Sequence, residues 1–167
     1  HLAERTDLVY CGFDHHRGMI DWCTANLTPV APHLQFHHVA VRSAYDEWDC
    51  EQGTQPATAV RFAFPEAPFC DALLSSVFTH MPLPETEHYL RELHRVLLPA
   101  GRVLLSVMFA EDEPQVLQQL NFLYRPDDFA AAVRRCGFAG TQLNARVYGL
   151  GHNWFALCRQ ESVPVPD

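Results

Sequence analysis

Two clusters in this chain combine residue types and spacing that could do chemistry. The first is Asp14 with His15 and His16, where the apolar run Leu8–Phe13 stops in an acid. The second is Ser75, Ser76 and His80, where the run "FCDALL" gives way to hydroxyls and an imidazole. A carboxylate at a strand end can accept two hydrogen bonds at once, and an imidazole can take or give a proton near neutral pH. The residues before Leu8 read as the last turn of a helix, with Leu2 and Ala3 apolar and Glu4, Arg5 and Asp7 charged. A helix running into a buried strand that closes on an acid is the second half of a nucleotide-binding β-α-β unit. The first half, a strand and a glycine loop, is not found before Leu8, and His1 is an unusual first residue. The expectation is therefore a piece of a longer polypeptide, unable by itself to form a stable monomer.

The ten histidines include the neighbours His15-His16 and His37-His38. Adjacent residues on a strand point to opposite faces, so neither pair is expected to chelate one ion, and no metal site is expected. Cys11, Cys23, Cys50, Cys70, Cys136 and Cys158 form no C-x-x-C pair, and four sit in apolar runs. They are expected to be reduced core thiols of a cytoplasmic protein. All twelve basic residues are arginine, which excludes lysine Schiff-base and lysine-base chemistry.

The elements that must position these groups follow from the pattern. The 167 residues suffice for one domain with a real core. The formal charge of -8 argues against nucleic acid as a partner, and no apolar run approaches the roughly 20 residues of a membrane span. "RGMIDWCTANL" spaces Met19, Ile20, Cys23 and Leu27 as a helix face before Pro29 and Pro32. "HLQFHHVAVR" reads as a strand, Ser43 to Ala59 as a loop, and "FCDALLSSVFTHM" as a buried strand with a polar end. "PETEHYLRELHRVLLPAG" is a helix with the stripe Tyr89, Leu90, Leu93, Val96 and Leu97, leading into the buried strand "RVLLSVMFA". The connector "EDEPQVLQQLNFLY" is expected to be partly helical. "RPDDFAAAVRRCGF" is a helix stopped by Gly137, and "TQLNARVYG" with "NWFALCRQ" suits an antiparallel edge pair. Such alternation calls for an α/β fold with a mostly parallel sheet covered on both faces. Ligands of such sheets bind at the carboxyl ends of the strands, so Asp14–His16, Ala40–Ser43, Ser75–Met81 and Met108–Glu111 are expected to form one rim.

On "YCGFD", "MIDWCTANL", "FPEAPFCDALLSSVFTHM" and "YLRELHRVLLPAGRVLLSVMF", the chain resembles the class I S-adenosylmethionine-dependent methyltransferases, from Leu8 to about Arg159. The resemblance implies a Rossmann-like fold, S-adenosylmethionine as cofactor and methyl transfer to a small or medium-sized O- or N-acceptor. A methyltransferase domain over 1–160, incomplete at its N-terminus, would precede a tail at 161–167. Asp14 would bind the cofactor's ribose hydroxyls, with His15 and Met19 beside it. Ser75 and Ser76 would meet the cofactor's amino-acid end, Phe78 its apolar parts, and His80 would serve as a base for a hydroxyl acceptor.

The chain also departs from that family. An acid often ends the third strand there, but here Ala40 stands in its place, which leaves adenine to backbone groups near Val41 and Arg42 or to Asp46. The usual P-G-G turn is Pro99-Ala100-Gly101, with Gly101 expected to take the positive φ. The missing central strand would be supplied by an upstream part of the same polypeptide or by a second copy. The competing readings are a degenerate, non-catalytic binding or scaffold module, and a dehydrogenase in which Asp14 would bind an NAD ribose.

Overall fold

The structure, a computed structural model, describes residues 2–42, 53–111, 115–117, 121–143 and 151–160. Asp46, the loop before Gly53, the segment joining the last two strands and the tail from 161 lie outside the described residues. The chain forms two compact units, His1–Val60 and Arg61–Asp167.

In the first unit a short 3-10 turn, Leu2–Glu4, precedes β1 (Tyr10–Asp14), α1 (Arg17–Asn26) and β2 (Leu34–His38). β1 and β2 pair in parallel, from Tyr10 opposite Leu34 to Asp14 opposite His38. The second strand is shorter than its apolar run suggests, because beyond His38 the chain turns and Val41 bridges to Gln55 instead. α1 is capped by His16, whose Nδ1 accepts from the Met19 amide at 3.2 Å. Ile20 is buried, but Met19 is 60% exposed, which corrects the inward stripe read from the sequence. Residue 19 sits about 100° round the helix from residue 20, at the edge of the stripe that Ile20, Cys23 and Leu27 share. β1 is also less buried than a run of apolar residues implies, with Tyr10 and Phe13 exposed. Among the described residues it pairs with β2 alone.

The second unit is built on β4 (Leu97–Phe109), which takes β3 (Phe69–Leu74) in parallel and β8 (Asn153–Arg159) in antiparallel. β7 (Phe138–Leu143) closes the edge against β8, as the antiparallel pattern of the last third predicts. α2 (Leu83–Val96) and α3 (Pro126–Arg135) follow the proline starts and apolar stripes seen in the sequence. Along β4 the alternate residues Val103, Leu105 and Val107 are fully buried, as are Leu90 of α2 and Ala132 of α3. The opposite face of the sheet is more open than expected, with Leu73 and Leu104 exposed and Asp71 paired to Arg102 at 2.8 Å. Cys70 and Cys158 are likewise exposed rather than core thiols, while Cys136 is buried.

Two local expectations fail for physical reasons. The described parts of the connector are strands instead of helix, β5 (Gln115–Leu117) and β6 (Asn121–Tyr124), paired antiparallel. β6 also pairs in parallel with Met108 and Phe109 of β4, so an open sheet edge overrides the helix preference of the glutamines and leucines. Near the start of β4, where its pairing with β3 shifts register, it is Ala100, not Gly101, that adopts a positive φ, at 58°. Gly101 is needed for another reason, since a Cβ there would lie 2.7 Å from the Leu98 carbonyl oxygen. A left-handed alanine costs about 1–2 kcal/mol relative to its preferred backbone. Ala100→Gly is expected to stabilise the protein by about 0.5–1 kcal/mol after the extra unfolded-chain entropy of glycine is counted. A chemical-denaturation midpoint that falls would contradict the strain argument.

Candidate functional site

The first unit positions Asp14 by strand pairing and by the turn that follows. Its carbonyl accepts from the Val39 amide at 3.0 Å, extending the β1–β2 ladder to the last residue. Its Oδ1 accepts from the His16 amide at 2.8 Å. Asp14 thus shapes the approach to α1, while the capping itself falls to His16. The carboxylate is exposed, and among the described residues Oδ2 has no partner.

A brace that the sequence reading missed holds this turn. His38, opposite Asp14, donates from Nε2 to the His15 carbonyl at 3.1 Å, and its Nδ1 lies 3.1 Å from an Arg17 guanidinium nitrogen. This gives His38 a structural role in the turn. Among the described residues no three His, Cys, Asp or Glu side chains gather as a metal site would require.

The amides of Val41 and Arg42, expected to face an adenine, are already engaged with Val39 and Gln55 carbonyls at 2.8 and 2.9 Å. Val41 is buried in its own bridge, and neither of these two amides is left as a donor for a ligand.

In the second unit β3 ends at Leu74 and the chain turns sharply. Ser76 has φ 59°, a left-handed conformation. Its amide donates to the Ser106 hydroxyl at 2.9 Å, and its carbonyl accepts from the Thr79 hydroxyl at 2.8 Å. A 3-10 turn, Phe78–His80, follows. Ser75 is exposed, and Ser76 and His80 are half-buried, so all three can meet a ligand. Phe78 is completely buried and belongs to the core of its unit.

Tyr124, at the end of β6, holds the same turn from below. Its hydroxyl bonds the carbonyls of Phe78 and Met81 and lies 2.8 Å from the Thr86 hydroxyl. Burial pushes its phenol pKa well up, keeping it a neutral hydrogen-bonding group. Glu85, half-buried at the start of α2, has its carboxyl pKa raised by burial. His152, just before β8, brings its Nδ1 to 3.3 Å from Ser106 Oγ. Neither Ser106 nor His152 was singled out from sequence. The only signal was a single serine inside the apolar run "VLLSVMF".

No family model matches the chain. Several solved structures do resemble it. A SAM-dependent methyltransferase of Methanosarcina mazei aligns with TM-score 0.61 at 13% identity, over 95% of this chain and 85% of that one. The 1,6-didemethyltoxoflavin-N1-methyltransferase of Burkholderia thailandensis, solved with 1,6-didemethyltoxoflavin and S-adenosylhomocysteine, aligns with TM-score 0.55 at 14% identity, over 96% of this chain and 75% of that one. A candidate O-methyltransferase of Nostoc punctiforme aligns with TM-score 0.63 at 11% identity, over 95% of this chain and 47% of that one. This chain therefore spans about half the length of the Nostoc protein. With its mixed sheet centred on β4, the helices α2 and α3, and the antiparallel β7–β8 edge, the chain has the fold of the class I S-adenosylmethionine-dependent methyltransferases.

Proposed function

We propose that this chain binds S-adenosylmethionine and takes part in methyl transfer to a small or medium-sized acceptor at oxygen or nitrogen. The observation that carries the reading is Asp14. It ends a parallel strand with one carboxylate oxygen fixed by the His16 amide and the other open. That arrangement fits a vicinal diol, because a fixed carboxylate can accept from neighbouring hydroxyls through charge-assisted bonds. Ser75 and Ser76 fit the polar amino-acid end, and His80 is the proposed proton acceptor for a hydroxyl substrate. When bound, the cofactor would supply an activated methyl group on a sulfonium, so the protein's own task is alignment. Residues 1–160 would act as the catalytic domain, with 161–167 as a tail. The exposed Cys70 and Cys158 thiols suit a reducing compartment such as the cytoplasm. No helix among the described residues is long and apolar enough to cross a membrane.

Asp14→Asn in the intact protein is expected to weaken S-adenosylmethionine binding by at least about tenfold, near 1.4 kcal/mol. Calorimetry checks this, with circular dichroism to verify the fold. An unchanged affinity removes Asp14 from the site. If the unmutated protein binds neither S-adenosylmethionine nor S-adenosylhomocysteine, the non-catalytic binding module becomes the better reading.

A further inference from the structure

We propose that Ser106 is a positioning residue for the cofactor-facing turn: its buried hydroxyl holds Ser76 in the left-handed conformation in which Ser75 and Ser76 meet the ligand. The inference rests on the methyltransferase reading for what the turn binds, but the turn's geometry stands apart from it.

Ser76 is an unusual residue for its backbone. Outside glycine, a left-handed φ crowds Cβ against the backbone, and such strain persists only where the surroundings over-determine it. Here two bonds do so. The Ser76 amide donates to Ser106 Oγ at 2.9 Å, and the Ser76 carbonyl accepts from Thr79 Oγ1 at 2.8 Å. The turn stands at the carboxyl end of a parallel strand, where ligands of such sheets bind.

Ser106 is equally unusual for its place. It is the one polar side chain between Val103 and Met108 on β4, and it is fully buried. A hydroxyl buried there would be destabilising without partners. It has two. Its oxygen accepts the Ser76 amide, which leaves its proton for His152 Nδ1 at 3.3 Å. His152 is delivered by the antiparallel register that sets Asn153 opposite Val107, after Gly151 turns the chain with φ 74°. One oxygen thus ties the end of β3, the middle of β4 and the start of β8. An alanine or valine would satisfy the strand but not the turn.

The test pairs Ser106→Ala with Ser76→Gly in the intact protein, because glycine adopts the left-handed conformation without being held. Two measurements are made: amide hydrogen exchange over 75–79, and calorimetric affinity for S-adenosylhomocysteine. Ser106→Ala is expected to speed exchange across that segment and to weaken binding about tenfold. In the Ser76→Gly background the same change should cost less than about threefold, a rescue that a merely structural serine would not show. Should Ser106→Ala lose the fold, Ser106→Cys fills the space with a poorer acceptor and serves in the same comparison. Unchanged exchange over 75–79, or an equal loss of affinity in both backgrounds, overturns the proposal. Absence of any S-adenosylhomocysteine binding by the unmutated protein instead counts against the methyltransferase reading, and the exchange measurements with and without Ser76→Gly then decide the role of Ser106.

Discussion

Replacing Arg95 with Met is expected to destabilise the protein by about 3 kcal/mol, the lower part of the range for breaking a largely buried ion pair. The guanidinium makes a knot. It bonds both Glu92 carboxylate oxygens, at 2.7 and 3.0 Å, and donates to the carbonyls of Phe62 and Phe64 at 2.9 and 2.8 Å. Glu92 in turn accepts from the Phe62 amide at 2.8 Å. Both side chains are at most 15% exposed, so methionine would leave the carboxylate and the carbonyls without their partner. The Arg95 bond, assisted by the Phe62 amide, holds the Glu92 carboxyl below its ordinary value. A group whose folded pKa is depressed contributes stability above its unfolded pKa and loses it as pH falls through the folded value. Part of the unmutated protein's stability should therefore fade below about pH 4.3, and Arg95→Met should flatten that acid dependence. Urea titrations at neutral and acid pH check both points. A loss under about 1 kcal/mol would mean that the pair behaves as a solvated surface contact.

Tyr124→Phe is expected to cost about 2 kcal/mol, within the usual range for leaving buried polar groups unpaired. The phenol has a single proton to offer the Phe78 and Met81 carbonyls and receives one from Thr86, which is fully buried. Phenylalanine keeps the stacking on Phe129, with ring centroids 5.8 Å apart, and deletes only the hydroxyl. The turn carrying His80 would then be held from one side alone. Adding Thr86→Val should recover part of the loss, since the orphaned hydroxyl is removed with its partner. A single-mutant cost below about 0.5 kcal/mol would show that the three bonds are replaced by water or by repacking.

How far the sequence could be read depended on whether a residue's role was local. α2 and α3 were legible because a proline start, a 3.6-residue apolar stripe and, for α3, a glycine stop all lie within one short window. Asp14 was legible as a strand-end acid, and the last third as an antiparallel pair. β5 and β6 were not legible: "QVLQQLNFLY" carries helix-forming residues, and only the open end of β4, with Met108 opposite Leu123, made a strand the better outcome. The burial of Phe78 was hidden for the same reason, since the turn that carries it packs against β4 and β6, far along the chain.

The amino-acid sequence by itself determined the alternation of strands and helices, the acid that closes β1, the hydroxyls after β3 and the antiparallel edge, because each follows from periodicity and from residue types next to one another in the chain. Tertiary structure alone decided which polar groups work together. Ser76 meets Ser106 from thirty residues away, His38 braces a turn more than twenty residues before it, and Arg95 gathers carbonyls about thirty residues upstream. Hydrogen bonds are short and directional, so such partnerships exist only once the strands are in register, and no window of sequence contains both members.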